Sequence, residues 1–366
     1  MPRVLVLDEA GFDPAWPYPD IPDHYGYGIN HFATRGYEAE RPAAAGRGPL
    51  RRLDAAVARR GGRRVVGDIA AQWAALAGRR AIDLVYCPAG PQRVAALAAL
   101  RTARLARLPL VVLAHHPLPA TASRARRRLV RSVLRGCSAV GALASATATD
   151  VDALAGRPLA TVLRLGPDAG FYPSCDDTGE GVVAAGKHFR DFVTFGLAAT
   201  RAELPATILC PRDAVVPAFR LFGDTVTVVT PPAGQAMLPL AELLPPLSAA
   251  RALAIPLRPR RELVGMWSLL DALGLGKPVL VTRHPLFDLD IEAEGIGRFI
   301  DPGDVDGWSA ALRFVADRPD EVRGMGRRAR ALVDAGRDSR GFADQVMDLF
   351  DGVLGVDTGV GAARHR

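Results

Sequence analysis

Lysine is almost absent from this chain. Of its 46 basic residues only Lys187 and Lys277 are lysines, and the rest are arginines. Heavy arginine and alanine use is what a GC-rich coding sequence produces, so the net charge of +7 and pI near 9.7 carry less functional information than their size suggests. Cysteine is scarce and scattered: Cys87, Cys137, Cys175 and Cys210 include no CxxC pair, which excludes the usual zinc and dithiol redox sites. No apolar run approaches the roughly 20 residues that a spanning helix needs. The start, "MPRVLVLDEA", lacks the charged region, long apolar stretch and cleavage site of a secretory signal, so a cytoplasmic protein is expected. Aromatic residues do not interleave with the basic runs "RRGGRR" (59–64) and "RARRRLVR" (124–131), so nucleic acid is not an expected partner and solvated helix faces are the simpler reading. Walker, GxGxxG and HExxH motifs are missing. The acidic triplets at 150–152, 288–290 and 304–306 read as polar loops or caps, and no metal site is expected.

What is present is alternation. Short apolar stretches such as "RVLVLD", "DLVYC" and "LPLVVLA" are separated by segments of helical spacing, for example Ile69, Trp73 and Leu76. A second series of the same kind begins at "EGVVAAGK" and ends in three helices at 304–318, 319–336 and 338–354. Strands alternating with helices imply parallel sheets built from βαβ units. The two series meet at a Pro/Gly/Asp-rich junction over 166–181, so the fold class is α/β with two Rossmann-like domains.

Ligands of open parallel sheets bind beyond the carboxyl ends of the strands, which reduces the candidates to a few loops. In "AGKHFRD" Gly186 permits close backbone approach, and Lys187 and Arg190 stand at a helix start, a combination suited to a diphosphate. An exposed helix start with two solvated cations fits the same residues. The helix beginning at Gly265, Met266 and Trp267 and continuing through Ser268 offers unbonded N–H groups to a second anion contact. Two turns on, Asp271 lies among Leu269, Leu270 and Leu273, where a carboxylate can accept ribose hydroxyls or merely face solvent. His115 and His116 end a buried strand and suit hydrogen-bond donation to a sugar or acceptor, or a structural role. Trp16, Tyr18 and Tyr25, in the loop over 11–28, suit stacking on an acceptor. Lys277 follows a helix end and reads as a charge complement to it.

The segments "LLDALGLGKPVLVTRH", "EGIGRFIDPGD", "VVAAGKHFRDFVTF" and "LRLGPDAGFYP" together resemble the retaining nucleotide-sugar glycosyltransferases of the GT-B fold, family four. "YGINHFATRGYEAE" and "VVLAHHPLP" extend the resemblance into the first half. It implies two Rossmann-like domains facing across a cleft: an acceptor-binding domain over 1–168, a linker over 169–181 and a nucleotide-sugar-binding domain over 182–337. A helix over 338–354 that can cross back to the first domain, and a tail over 355–366, complete the chain. By resemblance Lys187 and Arg190 hold the donor diphosphate, Asp271 takes the place of the second glutamate of an E-x7-E motif and binds ribose, His115 or His116 contacts the donor sugar, and Gly26 and Gly28 form the glycine loop beside the phosphates. The first glutamate falls at Leu263, and the nearest acid is Glu262.

The resemblance implies a metal-independent enzyme without a cofactor, transferring a sugar from a nucleotide diphosphate to a small-molecule acceptor with retention; the composition is in keeping with specialised metabolism. Two alternatives stand beside this reading: a GT-B-fold nucleotide-sugar epimerase, and a non-catalytic protein binding sugar or nucleic acid. Residues 122–135 have the basic amphipathic composition that meets anionic lipid, but their apolar face reads more simply as core.

Overall fold

The computed structural model describes residues 1–7, 21–42, 67–77, 81–118, 122–173 and 179–356. Trp16, Tyr18, Cys175, the basic stretch 59–64 and the tail from 357 onward lie outside the described residues. The chain forms two compact units. One holds the described residues of 1–17, 26–165 and 340–366; the other holds those of 18–25 and 166–339. Residues 21–25, counted with the first domain on sequence, therefore pack with the second, while the helix from 340 onward packs with the first.

The first unit is a parallel sheet of strands β1 (Arg3–Val6), β2 (Glu38–Glu40), β3 (Leu84–Cys87), β4 (Leu110–Ala114), β5 (Ala139–Ala142) and β6 (Ala160–Val162) in the order β2-β1-β3-β4-β5-β6. Its central strands β3 and β4 are buried along their whole length, which a parallel sheet covered on both faces requires. Helices α1 (Ile69–Ala77), α2 (Ala95–Thr102), α3 (Arg124–Gly136) and α4 (Ser145–Ala155) supply cover. In α3 Val130, Val133 and Leu134 are buried in the core, as the sequence pattern implies. Gln72 on α1 caps α2, its Oε1 accepting from the N–H groups of Ala96 and Leu97.

The second unit is built from β7 (Val182–Ala185), β8 (Ala206–Leu209), β9 (Val226–Val229), β10 (Ala252–Ile255), β11 (Val279–Thr282) and β12 (Gly297–Ile300), again all parallel, in the order β12-β11-β10-β7-β8-β9. That is the doubly wound order of a Rossmann fold, and its direction reverses between β7 and β10. Helices α5 (Phe192–Ala202), α6 (Leu240–Ala249), α7 (Met266–Gly274), α8 (Val305–Asp317) and α9 (Pro319–Asp334) accompany it. Two 3-10 segments, Arg212–Ala214 and Pro217–Thr225, occupy a stretch to which the sequence pattern assigns no element.

The last helix, α10 (Ser339–Leu354), is tied to the first unit by polar and aromatic contacts, among them a buried carboxylate. Asp351 accepts from the Tyr37 hydroxyl and from the Arg35 guanidinium. Phe350 beside it meets Phe32, Tyr37 and Tyr86 edge-on, at ring separations of 5.0, 5.4 and 5.4 Å. Asp351 is buried, so removing it strands the Tyr37 phenol and one of the Arg35 contacts, while Arg35 Nη1 keeps Asp344 O and Asp348 Oδ1. Asp351→Ala is expected to cost about 2–3 kcal/mol in urea unfolding; a loss under about 0.5 kcal/mol contradicts this role.

Candidate functional site

The reversal of strand order in the second unit places the loops after β7 and β10 side by side, and they are stitched together. The Asp191 N–H donates to Pro256 O at 3.0 Å, the Arg258 N–H to Phe189 O at 3.0 Å, and Arg190 pairs with Leu257 in an antiparallel bridge. Phe189 is held at φ 56, a strained backbone for a bulky residue, with Arg260 over its ring at 4.4 Å. Beside this loop a cavity of about 260 Å³ is lined by Lys187, Arg190, Asp213, Val216, Phe219 and Arg258, among others.

Gly186 and Arg190 are interdependent. A Cβ at Gly186 would stand 2.4 Å from the Arg190 Nε. The guanidinium folds back over the glycine, and its Nε donates to Ala185 O (3.3 Å), Nη1 to His188 O (3.0 Å) and Nη2 to Ser268 Oγ (3.0 Å). Burial pulls its pKa down to about 10, while the charge of Asp271 raises it, so it stays cationic. Arg190 thus couples the β7 loop to the first turn of α7, with three of its five N–H groups bonded within the protein. Lys187 is exposed on the same loop.

The two helix starts differ. The first turn of α5, expected to attract an anion, is already filled: Asp191 accepts from the Thr194 N–H at 3.3 Å and from its hydroxyl at 2.7 Å. At α7 the N-cap is Gly265, at φ 82, with no side-chain cap. Gly265 brings no side chain to this start, and the positive end of the helix dipole, at Met266, Trp267 and Ser268, lies next to Arg190. Glu262 sits partly buried in the loop leading to Gly265.

Asp271 is on α7, partly buried, and its Oδ1 accepts from the Tyr172 hydroxyl at 2.7 Å. Burial raises its pKa to about 6; the Tyr172 hydrogen bond and the Arg190 charge oppose that rise. The Tyr172 ring lies over Gly274, where a Cβ would come within 2.3 Å of it. Asp168 shapes the turn before Tyr172: Oδ1 accepts from the N–H groups of Gly170 and Phe171, and Oδ2 accepts from the N–H of Asp23.

Residues 21–25 add a group that sequence reasoning missed. The His24 ring stacks on Tyr25, Trp267 and Tyr172 at 4.9, 5.3 and 6.2 Å, and Tyr25 stacks on Trp267 at 4.5 Å. The sequence pattern suggests Tyr25 as an acceptor ligand; its ring stacks on Trp267 in the first turn of α7. His24 is 1 % exposed, accepts at Nδ1 from the Asp168 N–H, and its pKa falls to about 4 because burial disfavours the cation. Its Nε2 is buried without a hydrogen-bond partner. No motif marks this histidine; the only sequence signal is an aromatic cluster flanking glycines.

In the first unit His115 donates from Nε2 to Pro88 O at 2.6 Å, and burial lowers its pKa to about 4. Its donor nitrogen is therefore occupied, which leaves Nδ1 as an acceptor and differs from the expected donor role. His116 is exposed next to it. The His115 ring lies 5.1 Å from that of Tyr27, and Tyr27 O accepts from the Tyr86 hydroxyl. Gly28, at φ 89, turns the backbone close to Ala343, and Gly26 ends the 3-10 segment Asp23–Gly26. Lys277, beyond α7, is 2 % exposed. Among the described residues no three His, Cys, Asp or Glu side chains converge as a cation site requires, and no helix is long and apolar enough to cross a membrane.

No protein-family profile matches the chain, and no curated protein matches it by sequence. Solved structures do match. Sucrose-phosphate synthase from Thermosynechococcus elongatus superposes with a TM-score of 0.68 at 14 % identity, covering 98 % of this chain and 100 % of that one. α,α-Trehalose 6-phosphate synthase from Burkholderia multivorans gives 0.66 at 12 % identity, covering all of both chains. Anabaena HepE in complex with UDP and glucose gives 0.65 at 15 %, over 96 % of this chain and 100 % of that one. At such identities the likeness speaks for the fold, which is GT-B with two Rossmann-like domains.

The buried titratable groups set an acid dependence of stability. His24 and His115, with folded pKa values near 4 against an ordinary 6.5, contribute stability that is full above pH 6.5 and is lost as pH falls towards 4. Asp271, near 6 against 3.8, has the opposite sign: its penalty is full above pH 6 and is relieved on acidification. The His24→Phe variant keeps the stack and removes one of these protons. Its unfolding free energy should depend on pH less steeply than that of the parent between about pH 6 and 4.5, by about 1.4 kcal/mol per pH unit. Equal slopes in urea titrations at several pH values contradict the buried neutral histidine.

Proposed function

We propose that this protein is a glycosyltransferase that moves a sugar from a nucleotide diphosphate donor to a small-molecule acceptor. The observation that carries the reading is the Arg190 guanidinium at the strand-order reversal of the second unit, bonded to Ser268 in the first turn of α7, with Lys187 exposed on the same loop and the Asp271 carboxylate about two turns along that helix. Lys187, the remaining N–H groups of Arg190 and the amides at Met266 and Trp267 meet the diphosphate, and Asp271 accepts from ribose. The GT-B fold, shared with structures that hold UDP and glucose, supports the same reading.

Charge develops on the departing diphosphate as the bond between the anomeric carbon and the phosphate oxygen breaks. Cations and helix amides already aimed at that oxygen lower the barrier without reorganising. The acceptor hydroxyl forms the new bond to the anomeric carbon, and its proton passes to the departing phosphate. Retention of anomeric configuration, a metal-independent mechanism and a place in specialised metabolism are parts of the proposal that rest on the sequence resemblance. Glu262, Gly186, Gly265 and Ser268 belong to the donor side; Gly26, Gly28 and one of His115 and His116 belong to the first unit's share of the reaction.

Lys187→Ala, which removes an exposed side chain, should lower kcat/KM on the order of 100-fold. Combined with Arg190→Ala it should abolish nucleoside diphosphate release from every nucleotide sugar offered. Full activity in the double variant contradicts the assignment, and conversion of the nucleotide sugar without added acceptor favours the epimerase.

A further inference from the structure

We infer that Tyr172 is a positioning residue for donor recognition, holding the Asp271 carboxylate through its hydroxyl so that the carboxylate meets the donor ribose in one orientation. The inference rests on the reading of Asp271 given under Proposed function.

The tyrosine is placed more firmly than packing alone demands. Its ring lies on Gly274, where no other residue fits beneath it. Arg330 ties that end of α7 to the linker, Nη1 donating to Gly274 O at 3.0 Å and Nη2 to Ala169 O at 3.1 Å. The His24 ring lies nearly parallel to it, 13° from coplanar, with ring centroids 6.2 Å apart. Tyr172 itself is 3 % exposed. A phenylalanine satisfies all of these contacts. What tyrosine adds is one buried hydroxyl, and it donates to Asp271 Oδ1 at 2.7 Å. Aspartate is one methylene shorter than glutamate and reaches less far from the helix, so fixing its carboxylate matters more for a ligand that must be met in one geometry.

The hydroxyl also acts on charge. Ribose hydroxyls are donors, and an ionised carboxylate accepts from them most strongly. Burial favours the neutral acid of Asp271; the groups opposing this are the Tyr172 hydroxyl, from the linker, and Arg190, from the β7 loop. Burial, then Asp271, and then Tyr25 and Asp168 push the ionisation of Tyr172 itself up, and the neutral His24 ring lies beside it. The tyrosine therefore stays a donor throughout the range in which Asp271 titrates. Tyr172→Phe removes one of the two groups that keep Asp271 ionised and shifts its titration upward.

The test is calorimetric binding of UDP, GDP and ADP to the full chain from pH 5.5 to 8.5, with inorganic pyrophosphate as a probe that lacks ribose. In the parent protein the affinity of the tightest nucleotide falls below about pH 6. In Tyr172→Phe the acid limb moves to higher pH, and wherever it then covers the measurement, affinity falls about tenfold for each pH unit of acidification. Affinity recovers by pH 8.5. Pyrophosphate binding is the same in both proteins. In Asp271→Asn the acid limb attributed to the carboxylate disappears, and adding Tyr172→Phe changes nothing further, as coupled groups in a double-mutant cycle require. An unmoved pH profile in Tyr172→Phe, or additive losses in the double variant, overturns the inference while leaving the donor site standing. Failure of the parent protein to bind any nucleotide or pyrophosphate overturns the donor reading, and this inference with it.

Discussion

The second unit is organised around a missing Cβ. Gly186 leaves the space into which the Arg190 guanidinium folds, and from there it reaches Ala185 O, His188 O and Ser268 Oγ. Those bonds join the end of β7 to the first turn of α7 across the point at which the strand order reverses. Any other residue at 186 would displace the arginine and break its three bonds to Ala185 O, His188 O and Ser268 Oγ. The burial of Arg190 and its nearness to Asp271 follow from this one placement, and the helix start that it borders has a glycine as its N-cap.

A second dependence runs through residues that sequence order separates widely. Asp168 takes hydrogen bonds from Asp23, Gly170 and Phe171, which fixes the turn that delivers Tyr172 to Asp271. His24 fills the space between Tyr172 and Trp267 as a neutral ring, its Nδ1 bonded to the Asp168 N–H. The carboxylate at 271 is therefore set by a loop on one side, a linker on another and a short segment from the start of the chain beyond that.

Much of the architecture is legible in the sequence, because parallel sheets buried on both faces write themselves as short apolar runs with helices between. "LVYC", "LVVLA" and "VLVT" are strands, and "MWSLLDALG" is a helix that begins after a glycine. Gly186, Lys187, Arg190 and Asp271 stand out as candidates in the sequence, since strand ends and helix starts are where such folds hold ligands. What is not legible depends on long-range packing. Nothing local says that Tyr25 stacks on Trp267, that His24 is buried, or that Arg190 spends three donors on the protein itself. The anion-attracting start expected at α5 is filled by Asp191, whose capping role depends on a backbone geometry that spacing does not reveal. The stretch 212–225 carries no clear periodicity because its two segments are 3-10 turns.

The central claim is that a nucleoside diphosphate binds the second unit at the β7 loop and the start of α7. Hydrogen exchange of the full chain with and without saturating UDP or GDP tests it most directly. The account predicts added protection of the amides over 186–190 and 266–268, with little change along the outer strands β9 and β12. Protection confined to other segments, or none with any nucleoside diphosphate, would contradict it.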